Sequence, residues 1–248
     1  IIPVHIFGQC ANMDAIMDLA KEHDLYVIED TAQAIGAEYH SKDGSTKKAG
    51  TIGHIGTTSF FPSKNLGGYG DGGAIFTNDD DYAALMRSIV NHGMGKRYYY
   101  DRVGVNSRLD SMQAAVLKVK LNYLDDYIAA RQKAAAYYDQ FFAEMQGVQT
   151  PARNEFSSHV FHQYTLIIDG LDQFGLQEEL KAKGIPAMSY YPLPVHTQKA
   201  YDAEKYNDVD FEVTNYLCKN VISLPMHTEL DEEQLQFICE SVKTFLQK

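Results

Sequence analysis

The stretch SFFPSKNLGGYGDGGAIFTN, Ser59 to Asn78, joins the end of one apolar run to the start of another. Thr57–Phe60 and Gly73–Thr77 read as strands. Between them a single lysine, Lys64, follows Pro62 and precedes glycines at 67, 68, 70, 72 and 73. A solvated surface lysine needs no such surroundings. A lysine near the end of a buried strand is pushed toward its neutral form, and only the neutral amine is a nucleophile. Ser59 adds a hydroxyl just upstream, and glycines let the backbone approach a neighbouring group closely.

Toward the N-terminus, IIPVHIFG reads as a strand from the first residue, so the sequence is expected to begin partway through a domain. Asn12 is a plausible cap for a helix running to His23, with Ile16, Leu19 and Ala20 at helical spacing. Leu25–Ile28 reads as a fully buried strand that ends in the acidic pair Glu29-Asp30. His40–Gly53 is polar and glycine-rich, hence a surface loop or hairpin. Toward the C-terminus a helix is predicted from Asp80 to about Asn91. His92–Arg108 follows, aromatic, charged and irregular, and too long for a simple connection. Its Tyr98-Tyr99-Tyr100 cluster fits a subunit interface. Helices are predicted over Asp110–Leu121 and Tyr123–Gln146, the second long enough to join two domains. The best boundary signal is Thr150–Ser158. Beyond it lie a strand in FHQYTLII, a helix over Leu171–Lys183, an extended PAMSYYP, a helix over Phe211–Lys219, a strand in VISLP and a helix over Asp231–Leu246. Strands alternating with helices in the first half imply an α/β sheet covered on both faces.

The 248 residues are 45% hydrophobic, enough for a large core, and carry a net charge of −11. That charge argues against a nucleic-acid partner, because phosphate backbones need a basic face. No apolar run approaches the roughly eighteen residues of a membrane span. Cys10, Cys218 and Cys239 are odd in number and lack C-x-x-C spacing, so they read as buried thiols of a cytoplasmic protein. The histidines show no metal spacing, and no metal is expected.

Asp30 stands at the carboxyl end of a buried strand, the edge of an α/β sheet where ligands bind. A carboxylate there needs a positive partner or a structural use; capping the following TAQA turn is the plain alternative. Gln33 lies on the same face of that turn. An amine for a Schiff base, an acid for a ring nitrogen and hydroxyl or amide donors for a phosphate are the parts that pyridoxal 5'-phosphate needs.

VIEDTAQAIGA (27–37), TSFFPSKNLGGYGDGGAIFTND (58–79) and GVNSRLDSMQAAVLKVKL (104–121) resemble the DegT/DnrJ-type nucleotide-sugar aminotransferases, over nearly the whole chain. The resemblance implies the fold type I, aspartate-aminotransferase-like architecture. Residues 1–128 would form an N-terminally incomplete large cofactor-binding domain, and 129–248 the connecting helix and small α+β domain. Pyridoxal 5'-phosphate would be the cofactor. Lys64 would hold it and shuttle a proton, Asp30 would pair with its ring nitrogen, Gln33 would bond its phenolic oxygen and Ser59 its phosphate. Asn106 would reach the phosphate, and Arg108 the sugar, from the neighbouring subunit of a homodimer. Tyr190 and Tyr191 match a His-Tyr-Pro segment of the sugar pocket, but here it reads Tyr-Tyr-Pro, which leaves the sugar open.

The implied substrates are L-glutamate and a nucleotide-linked keto sugar. The phrasing of GQCANMDAI and RVGVNSRLDSMQAAVL is most similar to the branch that aminates UDP-2-acetamido-2-deoxy-3-oxo-glucuronate for surface polysaccharide. A dTDP-linked 3-keto or 4-keto-6-deoxy sugar is the alternative, and a regulatory or inactive homologue a further one. A related deoxygenase branch replaces the lysine with histidine, and Lys64 argues against it. The family's earlier phosphate-binding Gly-Ser-Gly-Thr-like turn has no counterpart in this sequence, so the chain alone is expected to bind cofactor weakly or not at all.

Overall fold

A computed structural model describes residues 1–201, 205, 206 and 208–248. They divide into two compact units, Ile1–Ala129 with Arg153–His162, and Ala130–Ala152 with Gln163–Lys248. The division falls inside the long helix. The segment 153–162, expected to belong with the C-terminal part, packs instead with the first unit: Asn154 N donates to Gln9 Oε1 at 2.8 Å and Ser158 N to Glu38 O at 2.9 Å.

The first unit is built on a three-stranded sheet of β1 (Ile28–Asp30), β4 (Ile55–Ser59) and β5 (Gly73–Phe76), in the order β1-β4-β5. β1 and β4 are parallel, with Asp30 opposite Thr57; β4 and β5 are antiparallel, with Ser59 opposite Gly73. β1 begins three residues later than the apolar run predicted, so Glu29 and Asp30 lie within the strand. Leu25 and Tyr26 are exposed; the Tyr26 ring lies edge-on to His54 and Tyr82, and so packs on the surface. IIPVH runs beside β1 in parallel fashion: Ile28 N donates to Ile1 O, Asp30 N to Pro3 O and His5 N to Asp30 O, although only Val4 and Asp30 form a bridge. A 3₁₀ turn, Ile6–Gly8, follows. The polar loop is a hairpin of β2 (Glu38–His40) and β3 (Thr46–Lys48).

α1 (Met13–Glu22) starts where Asn12 Oδ1 accepts from Ala15 N at 3.2 Å. Its Met13 and Ala20 enter a core with Cys10, Val27, Ala34, Ala37, Tyr39 and Val160. α2 (Asp80–Val90) is capped by Asp79 and α3 (Ser111–Leu121) by Asp110. Leu117 of α3 joins Leu66 and Leu124 in a second apolar cluster. The segment expected to be irregular contains a short bulged hairpin, β6 (Met94–Lys96) with β7 (Tyr99–Tyr100), whose tyrosines are exposed. Ile75 of the edge strand β5 is 48% exposed.

α4 (Leu124–Phe142) carries the chain into the second unit. There β8 (Val148–Gln149), β9 (Tyr164–Ile168) and β10 (Val221–Leu224) form an antiparallel sheet in the order β10-β9-β8. α5 (Gln173–Ala182), α6 (Glu212–Asn220) and α7 (Glu232–Leu246) complete it. β9 and β10, largely apolar, are buried along nearly all of both faces. The Tyr138 and Tyr164 rings meet at 4.8 Å, and each hydroxyl has a partner, Pro225 O at 2.9 Å and Asp139 Oδ1 at 2.8 Å. α7 opens on a reciprocal capping box between Asp231 and Gln234.

Candidate active site

Side chains alternate along a strand, so β1 and β4 sort their residues onto two faces. Asp30, Thr57 and Ser59 share the more accessible face, while Glu29, Gly56 and Thr58 share the buried one. The backbone of Asp30 is held by Pro3 and His5 on one edge, and β4 pairs along the other. Its Oδ1 accepts from Ala32 N at 3.0 Å, capping the turn that carries Gln33. One oxygen of Asp30 is thus committed locally, and no hydrogen bond to Oδ2 is seen among the described residues. Gln33 Oε1 accepts from Phe7 N at 2.7 Å, so the Gln33 amide is tied to the turn after IIPVH.

Lys64 closes a turn beyond β4, its N donating to Phe61 O at 2.9 Å. Its side chain is half-buried and forms no ion pair among the described residues. Burial lowers the pKa of its amine below the ordinary lysine value, and the charge of Asp30 works the other way. The two groups thus stand within electrostatic reach of each other. Ser59 Oγ accepts from Phe61 N at 3.2 Å, which leaves its own proton to donate. Asn65, next to Lys64 and buried, donates through Nδ2 to Val160 O at 2.9 Å, while its Oδ1 is a buried acceptor without a partner among the described residues.

The glycines after Lys64 approach protein. A Cβ at Gly67 would stand 2.4 Å from Pro62 O, one at Gly72 2.7 Å from Leu109 Cδ1, and one at Gly73 2.7 Å from Thr58 O. At Gly67 the loop folds closely onto its own backbone and at Gly73 β5 lies close against β4, whereas at Gly68, Gly70 and Gly72 the nearest atoms are side chains of Gln113 and Leu109.

Asn106 and Arg108 follow the β6–β7 hairpin. Arg108 Nε donates to Asn106 Oδ1 at 3.1 Å. Both line an open cavity of about 1050 Å³ along β5 with Thr57, Gly73, Ile75 and Arg87; Lys64, Asp30, Gln33 and Ser59 do not line it. Tyr190 and Tyr191 belong to the second unit, their rings edge-on at 5.5 Å and Tyr191 half exposed.

Sequence reasoning passed over the other half of the acidic pair. Glu29 is fully buried, as is His5, and its carboxylate accepts four hydrogen bonds: from His5 Nε2 and Gly50 N at 2.9 Å, from Ile52 N at 2.7 Å and from Gly53 N at 2.6 Å. Burial works to raise its pKa, but these bonds prevail and hold it below the usual carboxylate value. The signal available in sequence is the alternation of the strand, which sends Glu29 opposite to Asp30, and a polar His5 inside an apolar run.

An amine whose burial favours its neutral form, a carboxylate within reach of it and a hydroxyl donor on the same sheet face fit the donor set that pyridoxal 5'-phosphate requires. The architecture is that of the fold type I transferases. A model of the DegT/DnrJ/EryC1/StrS aminotransferase family matches residues 1–243, and the chain belongs to that family. It is 47% identical over 247 residues to a "Pleiotropic regulatory protein" of Geobacillus stearothermophilus, covering 99% of this chain and 64% of that protein. It is 44% identical over 242 residues to the UDP-2-acetamido-2-deoxy-3-oxo-D-glucuronate aminotransferase of Pseudomonas aeruginosa, covering 98% and 64%. Among solved structures, S. venezuelae DesV in complex with a ketimine intermediate superposes with a TM-score of 0.92 at 35% identity, over 100% of this chain and 65% of that one. The chain thus spans just under two thirds of the length of these relatives. No helix among the described residues is long and apolar enough to cross a membrane, and no cluster of His, Cys, Asp or Glu among them is arranged to hold a metal.

Proposed function

We propose that the chain carries the lysine-bearing part of a pyridoxal-phosphate-dependent aminotransferase that moves an amino group from L-glutamate to a nucleotide-linked keto sugar. The observation that carries this reading is the placement of a half-buried Lys64 just beyond β4, with Asp30 on the paired strand β1 and Ser59 on the same sheet face as Asp30. When bound, the cofactor supplies an electron sink for charge that develops at the substrate carbon. Lys64 would hold its aldehyde carbon and, once released, would take and return the proton at the substrate carbon, general acid–base work for which a depressed amine is suited. Asp30, through the oxygen not committed to Ala32, would keep the ring nitrogen protonated. Ser59 would donate to the phosphate and Gln33 would orient the ring through its phenolic oxygen.

Asn106 and Arg108 would act on the neighbouring subunit's site, in a homodimer whose active site is shared. The exposed tyrosines of the β6–β7 hairpin, which precedes them in the chain, support this arrangement. Tyr190 and Tyr191 would line the sugar pocket. A UDP-linked 3-keto sugar acid is the favoured substrate, on the strength of the Pseudomonas aeruginosa relative. Three unpaired cysteines support a reducing, cytoplasmic setting. The similarity to a protein named as a pleiotropic regulator favours a second reading, in which the same fold serves control.

The test is an assay of glutamate with a panel of UDP- and dTDP-linked keto sugars. Amino transfer that Lys64→Ala abolishes supports the enzyme; absence of the glutamate half-reaction in the unaltered protein supports the regulator.

A further inference from the structure

We infer that His5 and Glu29 form a positioning pair that holds Asp30 and Gln33 in place for the chemistry proposed above. The inference rests on that reading for its purpose, but not for its geometry.

Both side chains are fully buried and belong to segments far apart in sequence. Ala11 N donates to His5 Nδ1 at 3.1 Å, so the ring's proton sits on Nε2, where it is donated to Glu29 Oε2 at 2.9 Å. The carboxylate in turn accepts from Gly50, Ile52 and Gly53, the loop that leads into β4. One buried charge thereby fastens the N-terminal segment and the β4 approach to β1.

The consequence appears on the opposite face of β1. The backbone of the segment carrying His5 is hydrogen-bonded to Asp30 on both of its peptide groups: Asp30 N donates to Pro3 O at 2.9 Å and His5 N to Asp30 O at 3.0 Å. Two residues on, Phe7 N donates to Gln33 Oε1 at 2.7 Å. Farther on, the same segment is tied by Val160 N to Gly8 O at 2.8 Å, Cys10 N to Ser157 Oγ at 2.9 Å and Asn154 N to Gln9 Oε1 at 2.8 Å, but none of these reaches β1. The His5–Glu29 contact anchors it by a side chain in the core, and so fixes two polar groups that the pair itself never touches. Satisfied networks of this kind impose a single geometry at the cost of desolvation.

Two substitutions separate positioning from bulk packing. His5→Gln keeps an N–H where Nε2 lies and retains the bond to Glu29. His5→Asn keeps an acceptor for Ala11 but cannot reach Glu29. The reporter is the titration of the Lys64 amine in the cofactor-free chain, followed by NMR of the ¹³C-methylated lysine, because Asp30 acts on that amine. With Asp30 loosened, less of its charge opposes the effect of burial, and the Lys64 midpoint falls. The expected result is that fall in His5→Asn and a midpoint equal to the unaltered chain in His5→Gln. Equal midpoints in all three chains, or equal falls in both variants, overturn the inference. If either variant fails to fold, the ¹⁵N spectrum of His5 in the unaltered chain decides: an Nε2–H tautomer is required, and an Nδ1–H tautomer overturns it. None of these readings depends on turnover, so they stand or fall separately from the aminotransferase proposal.

Discussion

The Asp30 carboxylate acts on the Lys64 amine across the end of the sheet, opposing the effect that burial has on it. One residue ends a parallel strand and the other follows its neighbour, so β1–β4 pairing is what brings them together. Their proximity is a property of the sheet register: a slip of one residue would turn Asp30 into the core and Glu29 out of it.

The sign of that interaction can be read directly. Asp30 holds the Lys64 pKa up against burial, so Asp30→Asn lowers it further and enlarges the neutral fraction. Competitive acetylation at pH 8, followed by peptide mass spectrometry, is expected to show Lys64 reacting about two to five times faster in Asp30→Asn. An unchanged or slower rate contradicts the stated geometry.

Glu29 ties acid stability to the same strand. Its folded pKa lies below its ordinary 4.5. The stabilisation it provides is therefore complete above about pH 5 and is lost as pH falls through the lower folded value. Glu29→Gln turns two accepting contacts into opposed donors, and is expected to cost about 3 kcal/mol at neutral pH. In urea titrations the gap between the two chains should narrow steadily below about pH 4.5. A gap that does not change with pH contradicts the assignment of charge to Glu29.

The glycine loop makes a steric prediction. At Gly67 a methyl would meet the backbone oxygens of Pro62 and Phe61 at 2.4 and 2.8 Å, and backbone cannot step aside. Gly67→Ala is expected to lose about 2 kcal/mol in urea unfolding. At Gly70 the nearest atom is Gln113 Nε2 at 3.2 Å, the end of a flexible side chain, and alanine there should stay within about 0.5 kcal/mol of the unaltered chain. Equal costs at the two positions would show that the loop is not packed as described.

Much of the fold is legible in the sequence because local rules hold. Asn12, Asp79, Asp110, Asp172 and Asp231 each precede a helix and cap it through a side-chain oxygen. The buried runs of β9 and β10 announce themselves by apolarity that only Thr165 and Ser223 interrupt, and those two hydroxyls bond each other at 2.8 Å. Asp30 and Lys64 are visible as polar residues at the ends of such runs. What escaped depends on contacts between distant segments. Leu25 and Tyr26 look like a buried strand, yet Tyr26 is covered only on one side, by His54 and Tyr82. Thr150–Ser158 reads as a boundary because nothing local shows that Gln9 and Glu38 await Asn154 and Ser158. The glycines after Lys64 suit a ligand or a tight loop equally well, and only the neighbouring backbone decides for the loop. His5 and Glu29 are each unremarkable alone; their meaning lies in the pairing.

The most direct test of the whole account is borohydride reduction of the chain in the presence of pyridoxal 5'-phosphate, followed by peptide mapping. Trapping captures a covalent adduct even where binding is weak, so it suits a chain shorter than its relatives. The account predicts a reduced pyridoxyl group concentrated on Lys64, and its loss there in Lys64→Ala. Label spread evenly over the lysines, or concentrated on a different one, would contradict the claim that Lys64 is the cofactor-bearing amine.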